Sequence, residues 1–203
     1  MEYADDTVPS KRFIYEHLIC HNEFFPENNC AIVGYTPMVA PNDKKPTIIQ
    51  EWIERKQFAF QNLNHLKQAS YNYFATCNLS LKTIFLLQYG MFDENYPLAA
   101  GEDIELGERL TEYGLKLYYN KNAQAKHIHP MPFKNYINRY VKMGKSKAYI
   151  SQINDFNTVS FKSSKNKLSP FKDCSIFKKC IFFFLYTISV ICTYWGYIKE
   201  KSK

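Results

Sequence analysis

The chain has 203 residues and a formal net charge of +7, with 46% hydrophobic and 22% charged residues. These fractions and the lack of low-complexity blocks or internal repeats place it among globular proteins, as one domain with an appendage. The lysines gather mainly between Lys134 and Lys179 rather than along one helical stripe, which argues against nucleic-acid binding. The six cysteines form no C-x-x-C pair, so we expect reduced thiols in a cytosolic protein.

The first half of the chain alternates helix and strand signals. A helix is predicted after Pro9, ending near Asn22, and the compact apolar run Cys30–Tyr35 predicts a strand. Thr47 and Gln50 form a capping box, after which apolar residues at helical spacing predict an amphipathic helix extending to Phe60. An apolar helix is expected to end at Gly90.

The second half carries the most informative segment. The run from Gly101 to Leu110 predicts a short helix that begins with acidic residues, contains a Glu105–Arg109 pair and stops at Gly114. Residues 115–119 alternate as in a strand, so the chain reverses and brings the histidines of Ala125–His129 toward the acids. A further amphipathic helix follows from Phe133. Strands and helices alternate, which favours an α/β layered domain.

An uncharged apolar run from Cys180 to Ile198 is just long enough to cross a bilayer as a helix. Lysines flank it, and Tyr194-Trp195 fits an interfacial aromatic belt. We therefore expect a main domain over 1–160, a basic linker over 161–179 and a membrane helix over 180–198, with the main domain at the cytoplasmic face. A buried or interfacial helix is the alternative for this segment.

Five pieces of the sequence, in order and spacing, resemble the acceptor-side half of glycosyltransferase family 2. They are Ala4–Ser10, Thr76–Leu81, Gly90–Glu94, Gly101–Leu110 with Gly114, and Ala125–His129. The resemblance covers about residues 2–150 and implies a partial GT-A, Rossmann-like domain. The chain begins almost at the metal-binding D-x-D segment, so we expect a truncated, split or downstream-started member whose nucleotide-binding half is missing or separate.

The resemblance also implies the site. Asp103 is the expected catalytic base, with Glu102 beside it as an orienting or acceptor-binding group. Asp6, at the second Asp of D-x-D, and His127 are the expected ligands of Mg²⁺ or Mn²⁺, with His129 as a substitute for His127. The expected substrate-binding residues are Asp5, Asn78, Asp93, Glu94 and His129.

Chemistry supports these roles independently of the family. Moving a sugar from a nucleotide-sugar donor to an acceptor hydroxyl requires a cation on the diphosphate and a carboxylate that accepts the hydroxyl proton. One base and no partner nucleophile imply inversion. The resemblance further implies a hexosyltransferase acting on a glycan or lipid-linked acceptor in cell-surface polysaccharide synthesis, and we expect the chain to be inactive without its nucleotide-binding half.

Other readings remain open at this stage. A catalytically inactive, membrane-attached subunit that binds glycan or a partner is the main alternative, and metal-dependent hydrolysis is a third. Asp103 and Glu102 could serve only to start the helix. His127 and His129 could form a zinc pair, for which no third ligand has suitable spacing.

Overall fold

A computed structural model describes residues 6–40, 44–94, 96, 100–153 and 170–202. The chain divides into two compact units. The first comprises Met1–Pro46, Leu63–Asp93 and Asp103–Pro130, and the second comprises Thr47–Asn62, Glu94–Glu102 and Met131–Lys203. Residues 161–169 of the expected basic linker lie outside the described residues.

The first unit is built on a mixed, five-stranded sheet. Its strands are β1 (Thr7–Pro9), β2 (Cys30–Tyr35), β3 (Lys67–Ala69), β4 (Leu79–Leu81) and β5 (Lys116–His127). The order is β1-β5-β2-β4, and β3 also pairs with β5. Strand β5 is parallel to β2 and antiparallel to β1 and β3, so the sheet is organised around it.

Strand β2 is buried along most of its length, as expected of a central strand. The pairing of β2 with β5 slips between Gly34 and Tyr35, where Asn120 and Gln124 are the successive partners. The extra residues of β5 form a bulge, which redirects the strand so that its end pairs with β1. The bulge therefore extends the sheet toward the segment that carries the histidines.

Helices α1 (Phe13–Ile19), α3 (Thr83–Tyr89) and most of α4 (Glu102–Glu112) belong to this first unit. Helix α1 continues as a π-helical turn over Cys20–Phe24, close to the expected end. Helix α4 has the predicted length, and Gly114 follows it in the left-handed region at φ 90°. The Glu105–Arg109 pair is confirmed by an Nε–Oε1 distance of 2.8 Å.

The second unit is helical and contains α2 (Ile48–Ile53), α5 (Phe133–Ile153) and α6 (Ile176–Lys201). The capping box is confirmed, because Gln50 N donates to Thr47 Oγ1 and Thr47 N donates to Gln50 Oε1. The prediction of one continuous helix to Phe60 is wrong. After Ile53 the chain makes a π-helical turn, and Ala59 adopts a left-handed conformation at φ 47°.

A hydrogen-bonded chain joins the three helices of the second unit. The buried Trp52 of α2 donates from Nε1 to Tyr136 Oη of α5 at 3.0 Å, and Tyr136 Oη donates to the carbonyl of Leu185 in α6 at 2.6 Å. The Trp52 ring also packs against Phe182 at 5.1 Å between centroids. Helix α5, expected in the main domain, thus packs with the apolar C-terminal helix.

The α/β class is confirmed, and so is a C-terminal apolar helix. Within the described part of the chain, α6 is the one helix whose length and composition suffice to cross a bilayer.

Candidate metal centre

The end of the sheet brings together Asp6, His127 and His129. Asp6 directly precedes β1, and the antiparallel register sets Thr7 opposite His127. The amide of Ile128 donates to the carbonyl of Asp6 at 2.8 Å, which continues this pairing by one residue. Backbone hydrogen bonds therefore hold the strand segments that carry the three side chains in a fixed position.

On its other side, the same strand end is held by the segment after β2. His127 N donates to the carbonyl of Pro37 at 3.0 Å, and Val39 N donates to the carbonyl of His127 at 3.0 Å. His127 is therefore fixed between two neighbouring segments of backbone. The backbone at this position therefore needs no further ordering when the side chain binds a ligand.

The three side chains already contact one another. His127 Nε2 lies 3.1 Å from Asp6 Oδ1, and His129 Nδ1 lies 2.7 Å from Asp6 Oδ2. One candidate ligand atom from each residue can be chosen so that all three lie within 4.8 Å of one another. Their side chains are 26% exposed for Asp6, 16% for His127 and 41% for His129, so the cluster is open to small solutes on one side.

This donor set fits a divalent cation. Ligands of a six-coordinate ion with bonds of ~2.1 Å lie about 3 Å apart when cis and about 4 Å apart when trans, which agrees with a spread of 4.8 Å or less among one ligand atom from each residue. Two imidazole nitrogens and one carboxylate oxygen suit Mn²⁺ or other first-row ions better than Mg²⁺, which prefers oxygen alone. Three protein ligands also leave coordination positions open for a substrate.

Asp103 lies at the start of α4 in the same unit, and its Oδ1 accepts a hydrogen bond from the amide of Ile104 at 2.8 Å. The charge of Asp103 and the charge of Asp6 both affect the thiol of Cys77. Burial is the largest cause that raises the pKa of the Cys77 thiol to about 12, and the negative charges of Asp103 and Asp6 contribute to the rise. Both carboxylates therefore act electrostatically on one thiol.

The structure assigns Asn78 a different position from the one expected of a substrate-binding residue. Its side chain is 1% exposed, and its amide nitrogen donates to the carbonyl of Ala123 at 2.9 Å. Its Oδ1 lies 2.8 Å from His17 Nε2, which must donate because Oδ1 can only accept. A Cβ on Gly34 would lie 2.4 Å from the Asn78 amide nitrogen. Asn78 therefore belongs to the core of the first unit, and a substrate-binding role for it stays a prediction.

His17 and His21 share the hydroxyl of Ser80. His17 Nδ1 lies 2.7 Å from Ser80 Oγ, and His21 Nε2 lies 3.0 Å from the same oxygen. Since His17 Nε2 carries a proton for Asn78, a neutral His17 accepts at Nδ1 from the serine hydroxyl, and His21 Nε2 donates to that oxygen. Burial is the main cause that lowers the pKa of His17 to about 4. This network joins α1 to β4.

Asp93 lies near a clamp formed by Arg109. The guanidinium donates from Nε to Glu105 at 2.8 Å and from Nη2 to the carbonyl of Met91 at 2.7 Å. Hydrogen bonding to Glu105 is the largest cause that raises the pKa of Arg109, and the charge of Asp93 adds to it. A substrate-binding role for Asp93 stays a prediction.

The remaining expected residues fall elsewhere. Glu94 and Glu102 group with the second unit, whereas the three residues of the metal cluster belong to the first. Glu94 is exposed, whereas Glu102 Oε2 is buried without a hydrogen-bond partner among the described residues. Asp5 lies outside the described residues. The roles expected of these three acids stay predictions.

The sequence predicted Asp6 and His127 as ligands but found no third ligand for the histidine pair. Asp6 and His129 are 123 positions apart, and only the pairing of β1 with β5 joins them. No protein-family model matches the chain, and a search of curated proteins finds no significant match.

Proposed function

We propose that this chain is the acceptor-side part of an inverting, GT-A-type glycosyltransferase that acts in cell-surface glycan synthesis at the cytoplasmic face of a membrane. The single observation that carries the proposal is the cluster of Asp6, His127 and His129 at one end of the sheet. The order of the sequence motifs around these residues adds support.

In this proposal, Asp6, His127 and His129 hold a divalent cation such as Mn²⁺. When bound, the cation neutralises the negative charge that develops on the leaving diphosphate. Asp6 contributes charge to the site, while the two imidazoles must be unprotonated at the ligating nitrogens to bind. The fixed backbone around His127 keeps the ligands in place without the substrate.

Asp103 accepts the proton of the acceptor hydroxyl as the new glycosidic bond forms. The amide of Ile104 donates to Asp103 Oδ1, which helps fix the orientation of the carboxylate that accepts the proton. Glu102 orients the acceptor beside it. With Asp103 as base and no nucleophile that forms a covalent intermediate, direct displacement inverts the anomeric configuration.

Substitution of Asp103 by Asn tests the catalytic part of the proposal. In an assembly where the parent chain turns over a nucleotide sugar, Asp103→Asn removes proton acceptance but keeps the size and polarity of the side chain. Turnover should fall by roughly 10²–10⁴-fold while donor binding is retained. The control is Glu112→Gln, which neutralises an exposed acid at the end of the same helix. Near-normal turnover by Asp103→Asn would remove this residue from the mechanism.

A catalytically inactive subunit that binds glycan or a partner is the second candidate. The observation that favours it is that both oxygens of Asp6 already contact histidines, so the cluster has internal partners without any ion. Equilibrium binding separates the two candidates. A glycosyltransferase should hold Mn²⁺ and a nucleoside diphosphate in the same complex. An inactive subunit should bind glycan with the same affinity whether or not Mn²⁺ and a nucleoside diphosphate are present.

A further inference from the structure

Helix α6 has one side that is buried and an opposite side that is exposed. Phe182, Leu185, Ser189 and Gly196 are buried and follow one side of the helix. The opposite side leaves large apolar residues exposed, including Phe177, Phe183, Phe184, Ile191, Trp195 and Ile198. The exposed apolar side is far larger than the scattered apolar residues of an ordinary protein surface.

Polar contacts hold the buried side of α6 to its own unit at both ends. At the beginning, Lys178 Nζ lies 2.8 Å from Glu51 Oε2 in α2. At the end, Glu200 Oε2 lies 3.9 Å from Lys145 Nζ in α5. The helix therefore runs along α2 and α5 over its whole length rather than leaving them at one end.

A third contact lies at the middle of the helix. Lys56 Nζ donates to Ser189 Oγ at 2.6 Å, and Ser189 lies about 20 Å from the start of α6 at 1.5 Å per residue. The same ammonium lies over the rings of Tyr140 and Tyr186, at 5.0 and 4.8 Å from their centroids. Burial lowers the pKa of Lys56 to about 8. A cation is thus packed against the centre of the apolar helix.

The backbones of α5 and α6 also approach closely. A Cβ on Gly144 would lie 2.0 Å from the carbonyl oxygen of Thr193, and one on Gly196 would lie 2.1 Å from that of Val141. Only glycine permits such contact at these two positions. The pairing of α5 with α6 is therefore built into the sequence and is not an incidental contact.

These contacts conflict with a helix that crosses the membrane. If α6 spanned a bilayer, Lys56 would lie at the depth of the bilayer centre, and the charged α5 residues Arg139, Lys142 and Lys147 would accompany it. Charged side chains at that depth are strongly unfavourable. A helix lying in the plane of the interface keeps its buried side on α2 and α5 and its apolar side in lipid.

We propose that α6 lies in the plane of an anionic membrane surface, with its exposed apolar side in the boundary between headgroups and acyl chains and with α2 and α5 on the water side. The charges favour this occupant. Lys179, Lys199 and Lys201 are exposed near the ends of the apolar side, and the one acidic residue of α6, Glu200, pairs with Lys145. This attachment does not depend on the glycosyltransferase proposal.

Vesicle binding tests whether the exposed apolar side of α6 binds a lipid surface. The full chain should bind vesicles that contain both phosphatidylglycerol and phosphatidylcholine more tightly than vesicles of phosphatidylcholine alone. Added salt should weaken its binding to the mixed vesicles. Phe184→Glu and Ile191→Glu should each weaken it by about tenfold or more, because each replaces a lipid-buried apolar group with a charge. The control is Leu87→Glu on α3, which alters a 65% exposed leucine of the other unit and should leave binding unchanged.

Accessibility of the two ends tests the orientation. Lys172→Cys and Ser202→Cys are introduced separately, with Cys174, Cys180 and Cys192 replaced by Ser, and inverted membrane vesicles from expressing cells are treated with a membrane-impermeant maleimide. An in-plane helix exposes both ends on the same side, so both variants should react without detergent.

Three results would overturn the proposal. Reaction of one variant only after detergent would show that α6 spans. Unchanged vesicle binding by Phe184→Glu and Ile191→Glu would show that this face does not enter lipid. A full chain that dimerises through this face and ignores vesicles, measured by sedimentation, would assign the face to a second copy.

Discussion

The buried histidine His17 should make the first unit sensitive to mild acid. His17 is fully buried, and its pKa is lowered from 6.5 to about 4, chiefly by burial. The unfolded chain therefore binds a proton in a range where the folded chain does not. A histidine with a depressed folded pKa contributes stability that is complete above its unfolded pKa and is lost as pH falls toward the folded value.

The two pKa values set the size of the effect. Between pH 7.5 and pH 5, this single group should lower the free energy of unfolding by about 2 kcal/mol, from linkage between pKa values of 6.5 and about 4. Few carboxylates titrate above pH 5, so the loss of stability between pH 7.5 and pH 5 comes mainly from the titration of histidines. The charges of His21 and Glu16 shift the His17 pKa in opposite directions, which limits their net influence.

The assay is urea unfolding read by hydrogen exchange of peptides covering β4, because both tryptophans lie in the second unit. The comparison is His17→Gln, which keeps hydrogen-bonding groups but cannot titrate. The variant should be less stable than the parent at pH 7.5 and should lose less stability on acidification. An equal loss in parent and variant would refute the assignment of acid sensitivity to His17.

Three further substitutions should have local effects. Gly34→Ala should lower the free energy of unfolding of the first unit by about 1–3 kcal/mol by overpacking against Asn78, measured by the same urea assay. Arg109→Met should cost about 1–3 kcal/mol and speed hydrogen exchange around Met91, whose carbonyl loses its charged donor. Gly144→Ala should separate α5 from α6 and lower the thermal unfolding temperature of the second unit, monitored by tryptophan fluorescence.

The elements that local chemistry determines were predictable. Helix α4 begins and ends where glycines and first-turn acids indicate, and its Glu105–Arg109 pair follows from a spacing of four residues. The capping box at Thr47 is likewise a contact between residues three apart. In each case the interacting groups are neighbours along the chain, so the pattern alone contains the information.

Contacts between distant segments were not predictable in the same way. The helix expected to reach Phe60 stops because Ala59 adopts a left-handed conformation, which no residue type in that segment indicates. Asn78 is buried because Gly34 leaves room for its amide and His17 meets its oxygen, and both partners lie more than forty positions away. The site has the same origin, because only the register of β1 on β5 sets Asp6 against both histidines.

Cation binding tests the central claim most directly. Titration of the full chain with Mn²⁺, with and without UDP and followed by electron paramagnetic resonance of the free ion, measures whether Asp6, His127 and His129 form a site. We expect Mn²⁺ to bind whether or not UDP is present, because the nucleotide-binding half is expected elsewhere, and we expect Asp6→Asn to weaken this binding by about tenfold or more, since a charged oxygen ligand is lost. The control Glu105→Gln, which alters a carboxylate of the Arg109 clamp, should bind as the parent does. Equal Mn²⁺ affinity in the parent and Asp6→Asn, or no binding by either, would contradict the account.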